Sequence, residues 1–291
     1  GYNIQRQKGI LLQEAQTNAS TLVDTVDLDI RRAFSGLEQT FSVLESHLTP
    51  LTEIEKIDPP AFRNVIDDLI LSNPFLTALV VIDKNGQILH WNNNLQKLDL
   101  SQRQYFRIHQ SGDFAGLYIG LPQPSIVNQG QWIFSISKAI HNADRSLALV
   151  LAAIVDVNYF YRQYRPAFTA PGIRLTFTSP AGHVYASIPN HEELVGHQLT
   201  EFIASKSPDI GNGQELSTRK RIANYPFIIT VTREKDAILA PWRNDALNFT
   251  ILGASVSLLL LFLTYRTVRY QQRHMKKDSE RRSNTGIVCT R

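Results

Sequence analysis

The sequence has very little sulphur: Cys289 is the single cysteine among 291 residues, and there is one methionine. One cysteine excludes a disulfide-stabilised scaffold and the cysteine clusters of structural zinc sites. Charged residues make up 19% of the chain and hydrophobic residues 43%, a balance that excludes an intrinsically disordered protein. The length allows about two domains, each with a hydrophobic core.

The charge of the chain is concentrated at one end. From Arg266 onward, eight lysines and arginines stand against two acidic residues, so the last 26 residues carry +6 and the remainder of the chain −2. A total of +4 is no nucleic-acid signature, and we predict no nucleic-acid partner. Basic residues directly beside a membrane helix have a nearer anionic partner in the lipid headgroups.

Residues 246–265 carry no formal charge and include the apolar run VSLLLLFL. Twenty helical residues cover about 30 Å, the thickness of the hydrocarbon core of a bilayer. We predict a transmembrane helix at 244–265, with a buried helix of a soluble protein as the alternative. Because the basic cluster follows at once, residues 266–291 are predicted to be cytoplasmic and residues 1–243 extracytoplasmic. With no signal peptide in view, we expect a first membrane helix before Gly1.

The first fifty residues predict one long helix. From residue 11 to residue 48, apolar side chains recur in steps of four, four and three, close to the helical period of 3.6. This stripe predicts an amphipathic helix of nearly 40 residues that serves as core for the following domain, as a dimer seam, or as both. The stripe consists of Leu11, Ala15, Ala19, Leu22, Val26, Ile30, Ala33, Leu37, Phe41, Leu44 and Leu48.

The remainder of the outer region predicts two successive α+β units, at 51–165 and 166–243. Pro166 and Pro171 mark the boundary between them. Turn residues between the strands favour antiparallel pairing. We predict a short helix at 61–71 and strands at 76–82, 87–91, 116–121, 131–140, 147–157, 173–178, 183–188, 215–223 and 225–233.

Several segments, in this order, resemble the double Cache sensor domains of bacterial membrane receptors. LVVIDKNGQI (79–88) is similar to the first hairpin of that family, and LDLSQRQYF (98–106) to its Asp-x-Ser-x-Arg-x-Tyr-Phe segment. Residues 119–140 resemble the paired strands before the first lobe closes, and residues 175–199 the hairpin and turn of the second lobe. The resemblance implies an α+β fold with a long N-terminal helix, two PAS-like antiparallel lobes and a C-terminal transmembrane helix.

The same resemblance implies a ligand site. Amino-acid-binding members use an Arg-x-Trp-Tyr segment for the carboxylate and a later aspartate for the ammonium group. An arginine fork binds a carboxylate at two points, and aromatic faces can close over the ligand. The alternative is a structural ion pair between Arg103 and Asp156, with Trp132 in the core. Carried over position by position, the implied ligand-binding residues are Arg103, Tyr105, Phe106, Tyr118, Trp132 and Asp156.

Other chemistry finds no support in the sequence. His183, His191 and His197 are spaced by 8 and 6 residues, which matches no compact zinc pattern, so we predict no metal and no cofactor. Residues 211–213, Gly-Asn-Gly, lack the strand and helix of a nucleotide-binding loop and predict a turn. The chain has no GG[DE]EF cyclase motif and no kinase histidine box, so we predict that it is not itself an enzyme.

These observations predict small-molecule sensing outside the cell and signal transduction across the bacterial inner membrane. The expected partners are a small polar metabolite, such as an amino acid or an organic acid, the membrane, and a second copy of the chain in a homodimer. One alternative is the sensory half of a diguanylate cyclase or histidine kinase whose catalytic domain is missing from this chain. Another is an interaction protein whose lobes bind a protein partner and no metabolite.

Overall fold

The computed structural model describes residues 2–48, 59–91, 98–112, 114, 116–199 and 214–286. The predicted turn at 211–213 and Cys289 lie outside these residues. Residues 1–238 form one compact unit, and residues 239–291 form a second one.

The first element is a single helix of 47 residues, α1 (Tyr2–Leu48). The predicted long helix is confirmed, and it extends further toward the N-terminus than the stripe. Val23 and Phe34 are the fully buried residues where the stripe predicted Leu22 and Ala33, which are only partly buried. The contact face is wider than one line of residues because two sheets pack against the helix.

The first sheet contains six strands and is antiparallel throughout. Its strand order is β2-β1-β6-β5-β3, with β4 paired to β5. The predicted strands at 76–82, 87–91, 131–140 and 147–157 lie within a residue or two of those observed. The elements of this lobe are α2 (Pro59–Ser72), β1 (Leu76–Asp83), β2 (Ile88–Trp91), α3 (Gln104–Gln110), β3 (Leu117–Ile119), β4 (Gln123–Pro124), β5 (Trp132–His141) and β6 (Leu147–Asp156).

The second sheet is smaller and repeats the antiparallel pattern in the order β8-β7-β10-β9. The chain reaches it through α4 (Val157–Tyr164), which the sequence did not predict, and a 3-10 turn (Arg165–Ala167). The predicted α+β fold with a long N-terminal helix and two antiparallel sheets is therefore confirmed. The elements of this lobe are β7 (Ile173–Thr178), β8 (Val184–Ile188), α5 (His191–Leu194), β9 (Glu215–Arg221) and β10 (Ile228–Glu234).

One hydrophobic core joins α1 to both sheets, with Phe34 at its centre. The Phe34 ring lies 6.5 Å from Phe75 and 6.4 Å from Phe134, which belong to the first lobe. It lies 5.1 Å from both Tyr225 and Phe227 of the second lobe. The long helix is thus core for both lobes, one of the two predicted roles, while its role as a dimer seam stays a prediction.

Ion pairs fix the sheets to α1 along the edges of this core. Lys138 of β5 pairs with Glu45 at 2.6 Å. Lys220 of β9 pairs with Asp24 at 2.6 Å and with the buried Asp27 at 2.8 Å. Each sheet therefore turns one face toward α1 and the opposite face away from it.

The last helix, α6 (Lys235–Gly286), is 52 residues long. Its segment Lys235–Tyr270 is long and apolar enough to cross a membrane, and none of its most apolar stretch is buried. A buried helix of a soluble core does not have this exposure. The backbone stays helical to Gly286, through most of the segment predicted as a basic tail.

Candidate functional site

A cavity lies on the face of the first sheet that points away from α1. Its floor is apolar and comes from alternate residues of the central strands, including Ala78 and Val80 of β1, Ile133 of β5 and Ile154 of β6. The empty space is about 600 Å³, including the part open to solvent. Ligand pockets of small metabolites are concave, mostly apolar and edged by a few polar groups, as this one is.

Arg103 and Tyr105 form one wall of the cavity, at the start of α3. A tight turn places them there: Asp99 Oδ1 accepts the Ser101 N–H at 2.8 Å, and the Arg103 N–H donates to the Leu100 carbonyl at 2.9 Å. The first turn of α3 then buries Tyr105 and Phe106 against the sheet. The local sequence thus anchors the helix with aromatic rings and leaves the arginine on the cavity side.

The opposite wall is the loop between β4 and β5, which is rich in hydroxyl and amide groups. Ser125 Oγ accepts backbone N–H groups of Val127 and Asn128, at 3.2 and 3.0 Å. Asn128 Nδ2 donates to Gln131 Oε1 at 2.8 Å. These bonds stabilise the observed conformation of the loop.

Arg103 forms no ion pair within the part of the chain that the structure describes. The described lining of the cavity contains no aspartate or glutamate either. A guanidinium beside an apolar floor, with no carboxylate from the protein, suits a ligand that brings its own carboxylate. This arrangement can accommodate a small anion with an apolar part.

Tyr105 is a neutral hydrogen-bonding group at this wall. Burial raises the pKa of its phenol to about 12, and the nearby Arg103 opposes that rise only weakly. The backbone carbonyl of Tyr105 accepts the Ser137 hydroxyl at 2.7 Å, and His109 Nε2 lies 2.9 Å from the same hydroxyl oxygen. A buried polar chain therefore connects α3 to β5 behind the cavity.

The other residues implied by the resemblance are not brought to this cavity. Phe106 is fully buried in the core between α3 and the sheet. Tyr118 packs at the edge of that core, with its ring 6.0 Å from Phe114. Trp132 belongs with Phe134 to the opposite face of β5, and it contacts Gly196 of the second lobe.

Asp156 has a structural partner of its own. One of its carboxylate oxygens accepts the Asn158 N–H at 2.9 Å and caps α4, and the other pairs with Arg162 at 2.8 Å. The ion pair between Arg103 and Asp156 that the sequence left open is not formed. Asp156 lies two residues beyond the cavity residue Ile154, yet both of its oxygens are engaged elsewhere.

Sequence reasoning missed most of the polar wall. The missed lining residues are Thr77, Gln123, Ser125, Asn128 and Gln131. The turn signal of Asn128 and Gly130 marks the loop, but only the pairing of β4 with β5 shows that it folds over the sheet.

Two histidines of the second lobe have contacts within the protein. His191 stacks on Tyr161 at 4.8 Å, and its Nε2 lies 2.9 Å from Asn158 Oδ1. His183 Nδ1 lies 3.4 Å from the Ser179 hydroxyl. Among the described residues, no group of three or more His, Cys, Asp or Glu side chains is close enough together to hold a metal ion.

We expect Gly86→Ala to disturb the cavity wall. Gly86 has a φ of +86°, and a Cβ atom there would lie 2.6 Å from the backbone N and Cα of Ser101, two residues before Arg103. The left-handed backbone alone costs about 1–2 kcal/mol for an alanine, and the clash adds to it. Thermal unfolding of the full chain measures the loss of stability.

Gly112→Ala is the matched control, because Gly112 also has a positive φ, +72°, but a Cβ atom added there would meet nothing within 4 Å. It carries the backbone strain without the clash. Equal losses of stability in the two variants would show that the contact between Gly86 and Ser101 has no role in fixing the wall.

No protein-family model matches the chain, and no curated protein sequence matches it significantly. Solved structures do match. The extracellular domain of rpHK1S-Z16, assigned as a histidine kinase, superposes with a TM-score of 0.68 at 23% identity, over 80% of this chain and all of that domain. The chain has the fold of extracellular sensory domains.

Two chemoreceptor domains extend this likeness. The ligand-binding domain of Campylobacter jejuni Tlp3, solved with L-norvaline, superposes with a TM-score of 0.55 at 15% identity, over 78% of this chain and 94% of that one. The ligand-binding domain of Mlp24, solved with asparagine, gives a TM-score of 0.57 at 13% identity, over 81% of this chain and 98% of that one. The predicted sensor-domain architecture is thereby confirmed at the level of the fold.

Proposed function

We propose that this sensor domain binds a small carboxylate outside the cell and signals its presence across the membrane. The observation that carries the proposal is Arg103, which lines an apolar cavity and has no carboxylate partner in the described part of the chain. The likeness to sensory domains supports it, since two of them were solved with an amino acid bound. We propose no catalytic role for the chain.

The lining favours an organic acid over an amino acid. An amino acid presents an ammonium group, and a buried cation needs a carboxylate or several acceptors around it. The described lining has no acidic residue, and Asp156 is bound to Arg162. Two acceptors of the polar loop, Ser125 Oγ and Gln131 Oε1, already accept hydrogen bonds from within the loop. A branched aliphatic carboxylate satisfies the arginine and the floor together.

The test compares three molecules that share a branched four-carbon skeleton and differ in the charged groups on its terminal carbon. These groups are a carboxylate, a carboxylate together with an ammonium group, or an ammonium group alone. They are 3-methylbutanoate, L-valine and isobutylamine, added to the full chain in detergent during thermal unfolding. A ligand at 100 times its Kd adds about 2.7 kcal/mol of stability. We expect a shift with 3-methylbutanoate, a smaller one with valine and none with the amine.

Arg103→Ala is expected to reduce this shift strongly. A hydrogen bond to a charged group contributes about 1.5–3 kcal/mol, so the affinity should fall roughly 10- to 100-fold. Arg103→Lys should restore only part of it, because an ammonium cannot form the two-point contact. Arg107→Ala, on the exposed side of the same helix, is the matched control. If Arg103→Ala binds as tightly as Arg107→Ala, this cavity is not the ligand site.

For the rest of the receptor, we propose an extracytoplasmic location of residues 1–243, a span within α6 and a cytoplasmic C-terminal end. The exposed apolar segment of α6 supports the span, and the basic residues from Arg266 onward support the orientation.

We further propose a homodimer in which ligand binding shifts the balance between two arrangements of the lobes. A ligand can do so only through a difference in its affinity for the two arrangements.

A second form of this proposal makes the chain the sensory half of a histidine kinase or a diguanylate cyclase. The likeness to the extracellular domain of a histidine kinase favours it. The coding sequence downstream of Arg291 tests it: a kinase or cyclase signature in frame would support this form, and an unrelated gene would contradict it.

A further inference from the structure

The polar loop that forms one wall of the Arg103 cavity, residues 125–131, is attached to the second lobe before it begins. Gly120 lies upstream of the loop, between β3 and β4, and its backbone carbonyl accepts the Tyr185 hydroxyl of β8 at 3.0 Å. The Gly120 N–H donates to the Ser135 carbonyl of β5 at 2.7 Å. A buried hydrogen bond therefore links the sheet of the first lobe to a side chain of the second.

The loop also contacts the second lobe where it ends. Trp132 follows the loop directly, as the first residue of β5. Its indole ring packs against the backbone of Gly196, so closely that a Cβ atom added to this glycine would lie 2.2 Å from the ring. The exit of the loop is thus in close steric contact with the second lobe.

The two contact points in the second lobe belong to one hydrogen-bonded unit. Tyr185 lies in β8, the edge strand of the second sheet. The Gly196 N–H donates to the Val184 carbonyl of the same strand at 2.9 Å, and the Val184 N–H donates to the His197 carbonyl at 2.9 Å. A displacement of β8 relative to the first lobe therefore acts on both ends of the loop together.

Bonds within the loop set its shape but not its distance from the cavity floor. The Ser125 N–H donates to the Gln131 carbonyl at 2.7 Å. Ser125 Oγ accepts the N–H groups of Val127 and Asn128. All of these groups lie in the loop itself, and β4 on its entry side has two residues paired with β5. The placement of the loop over the floor therefore depends on what holds its ends.

We propose that Tyr185 and Gly196 are positioning residues for the ligand site. Through Gly120 and Trp132 they hold the polar loop in place, so the second lobe controls the affinity of the Arg103 cavity. This control of affinity rests on the ligand proposed above, whereas the position of the loop does not. Because coupling between two sites is reciprocal, a ligand that favours this loop position strengthens the contact between the lobes by the same factor.

Tyr185→Phe tests the entry contact, because it removes the hydroxyl and keeps a ring that packs 5.0 Å from both Phe134 and Phe227. Hydrogen exchange of the full chain in detergent, read by mass spectrometry without any ligand, measures how firmly the loop is held. We expect exchange in residues 121–131 to become about five-fold faster, the equivalent of the roughly 1 kcal/mol that a neutral hydrogen bond contributes.

Tyr225→Phe is the matched control. Tyr225 is also a buried tyrosine of the second lobe, but its hydroxyl donates to Glu38 Oε1 of α1 at 3.3 Å. The variant therefore loses a hydrogen bond between the second lobe and α1 that does not involve the loop. We expect exchange in residues 121–131 to stay at the wild-type rate.

Gly196→Ala tests the exit contact, because its methyl group would displace the Trp132 ring. Gly172→Ala is its control. Both glycines have a positive φ, +79° and +69°, and a Cβ atom at Gly172 would also clash, at 2.5 Å from Ala237 Cβ at the start of α6. Both variants thus carry a strained alanine and a clash, and we expect only Gly196→Ala to speed exchange in residues 121–131.

Titration with 3-methylbutanoate tests whether the position of the loop controls the site. We expect its Kd to be about five-fold higher for Tyr185→Phe than for Tyr225→Phe, again the equivalent of one neutral hydrogen bond. In wild type, we expect the bound ligand to slow hydrogen exchange in β8, and this effect should be smaller in Tyr185→Phe.

The results distinguish failure of this proposal from failure of the proposed ligand. If exchange in residues 121–131 rises in Tyr185→Phe and not in Tyr225→Phe, while 3-methylbutanoate binds to no form of the protein, the ligand is wrong and the positioning of the loop is supported. If the two variants show the same exchange in residues 121–131, or bind 3-methylbutanoate with the same Kd, the second lobe does not position the site and the proposal is overturned.

Discussion

Replacement of Phe34 by alanine is expected to lower the free energy of unfolding by about 3–5 kcal/mol, the usual cost of removing a buried aromatic ring. The ring is fully buried, and four other aromatic rings from the two lobes have their centres within 6.5 Å of its own. No neighbour can close the space without moving a strand. The loss should therefore affect both lobes together, in a single transition of the full chain during urea unfolding followed by circular dichroism.

Leu28→Ala on the same helix is the control, because its side chain is 41% exposed and leaves little empty space when shortened. We expect a loss below about 1 kcal/mol. Phe34→Leu, which fills part of the space, should lie between the two. If Phe34→Ala unfolds only one lobe and leaves a folded second lobe, the core is not shared in the way that the ring contacts indicate.

The long helix could be predicted because its signal is local and repeated. Each apolar residue of α1 recurs with the helical period along the whole stripe, and nothing interrupts it. The short helices α3 and α4 could not be predicted in this way. They have seven and eight residues, too few to show a helical period. In addition, α4 begins directly after β6, and the predicted strand at 147–157 runs one residue past the observed end of β6 at Asp156.

The sheet face toward which each side chain points was harder to predict than the position of the strand in the sequence. The strand at Trp132 was located within one residue, but the face of each side chain depends on the pairing partner, and a shift by one residue reverses it. Trp132 thus points to the second lobe, whereas its neighbour Ile133 lines the cavity. Arg103 could be singled out from the sequence because it belongs to a local motif. The position of the polar loop over the sheet could not be predicted, because it depends on contacts between residues distant in the sequence.

His109 is expected to make the protein less stable in acid by about 3 kcal/mol between pH 7 and pH 4. Burial lowers the pKa of its imidazole from 6.5 to about 4; the bond to Ser137 opposes this, and the charge on His141 adds to it. Ser137 donates its only proton to the Tyr105 carbonyl, so His109 Nε2 must carry the proton of their hydrogen bond. Nδ1 is buried without a partner among the described residues, and a second proton has no acceptor there.

The direction of this effect follows from linkage. Well above pH 6.5 the imidazole is neutral in the folded and unfolded chains, and the pKa difference has no influence on stability. As the pH falls through 6.5, the unfolded chain takes up a proton that the folded chain does not bind, so stability declines until the pH has passed the folded pKa, about 4. Well below that value both chains are protonated and the loss is constant.

Comparison of His109→Gln with His141→Gln isolates this contribution from the carboxylates that titrate in the same range. Glutamine can donate to Ser137 but takes up no proton, so His109→Gln should lose about 3 kcal/mol less than wild type between pH 7 and pH 4 in urea unfolding. His141 is exposed at the end of β5, and His141→Gln should keep most of the loss, because burial is the largest cause of the lowered His109 pKa and the charge on His141 only adds to it. His109 bonds to Ser137, whose hydroxyl donates to the Tyr105 carbonyl at the cavity wall. We therefore expect ligand binding by the Arg103 cavity to weaken over the same pH range in wild type and not in His109→Gln. Identical pH profiles for the two variants would place the acid sensitivity elsewhere in the chain.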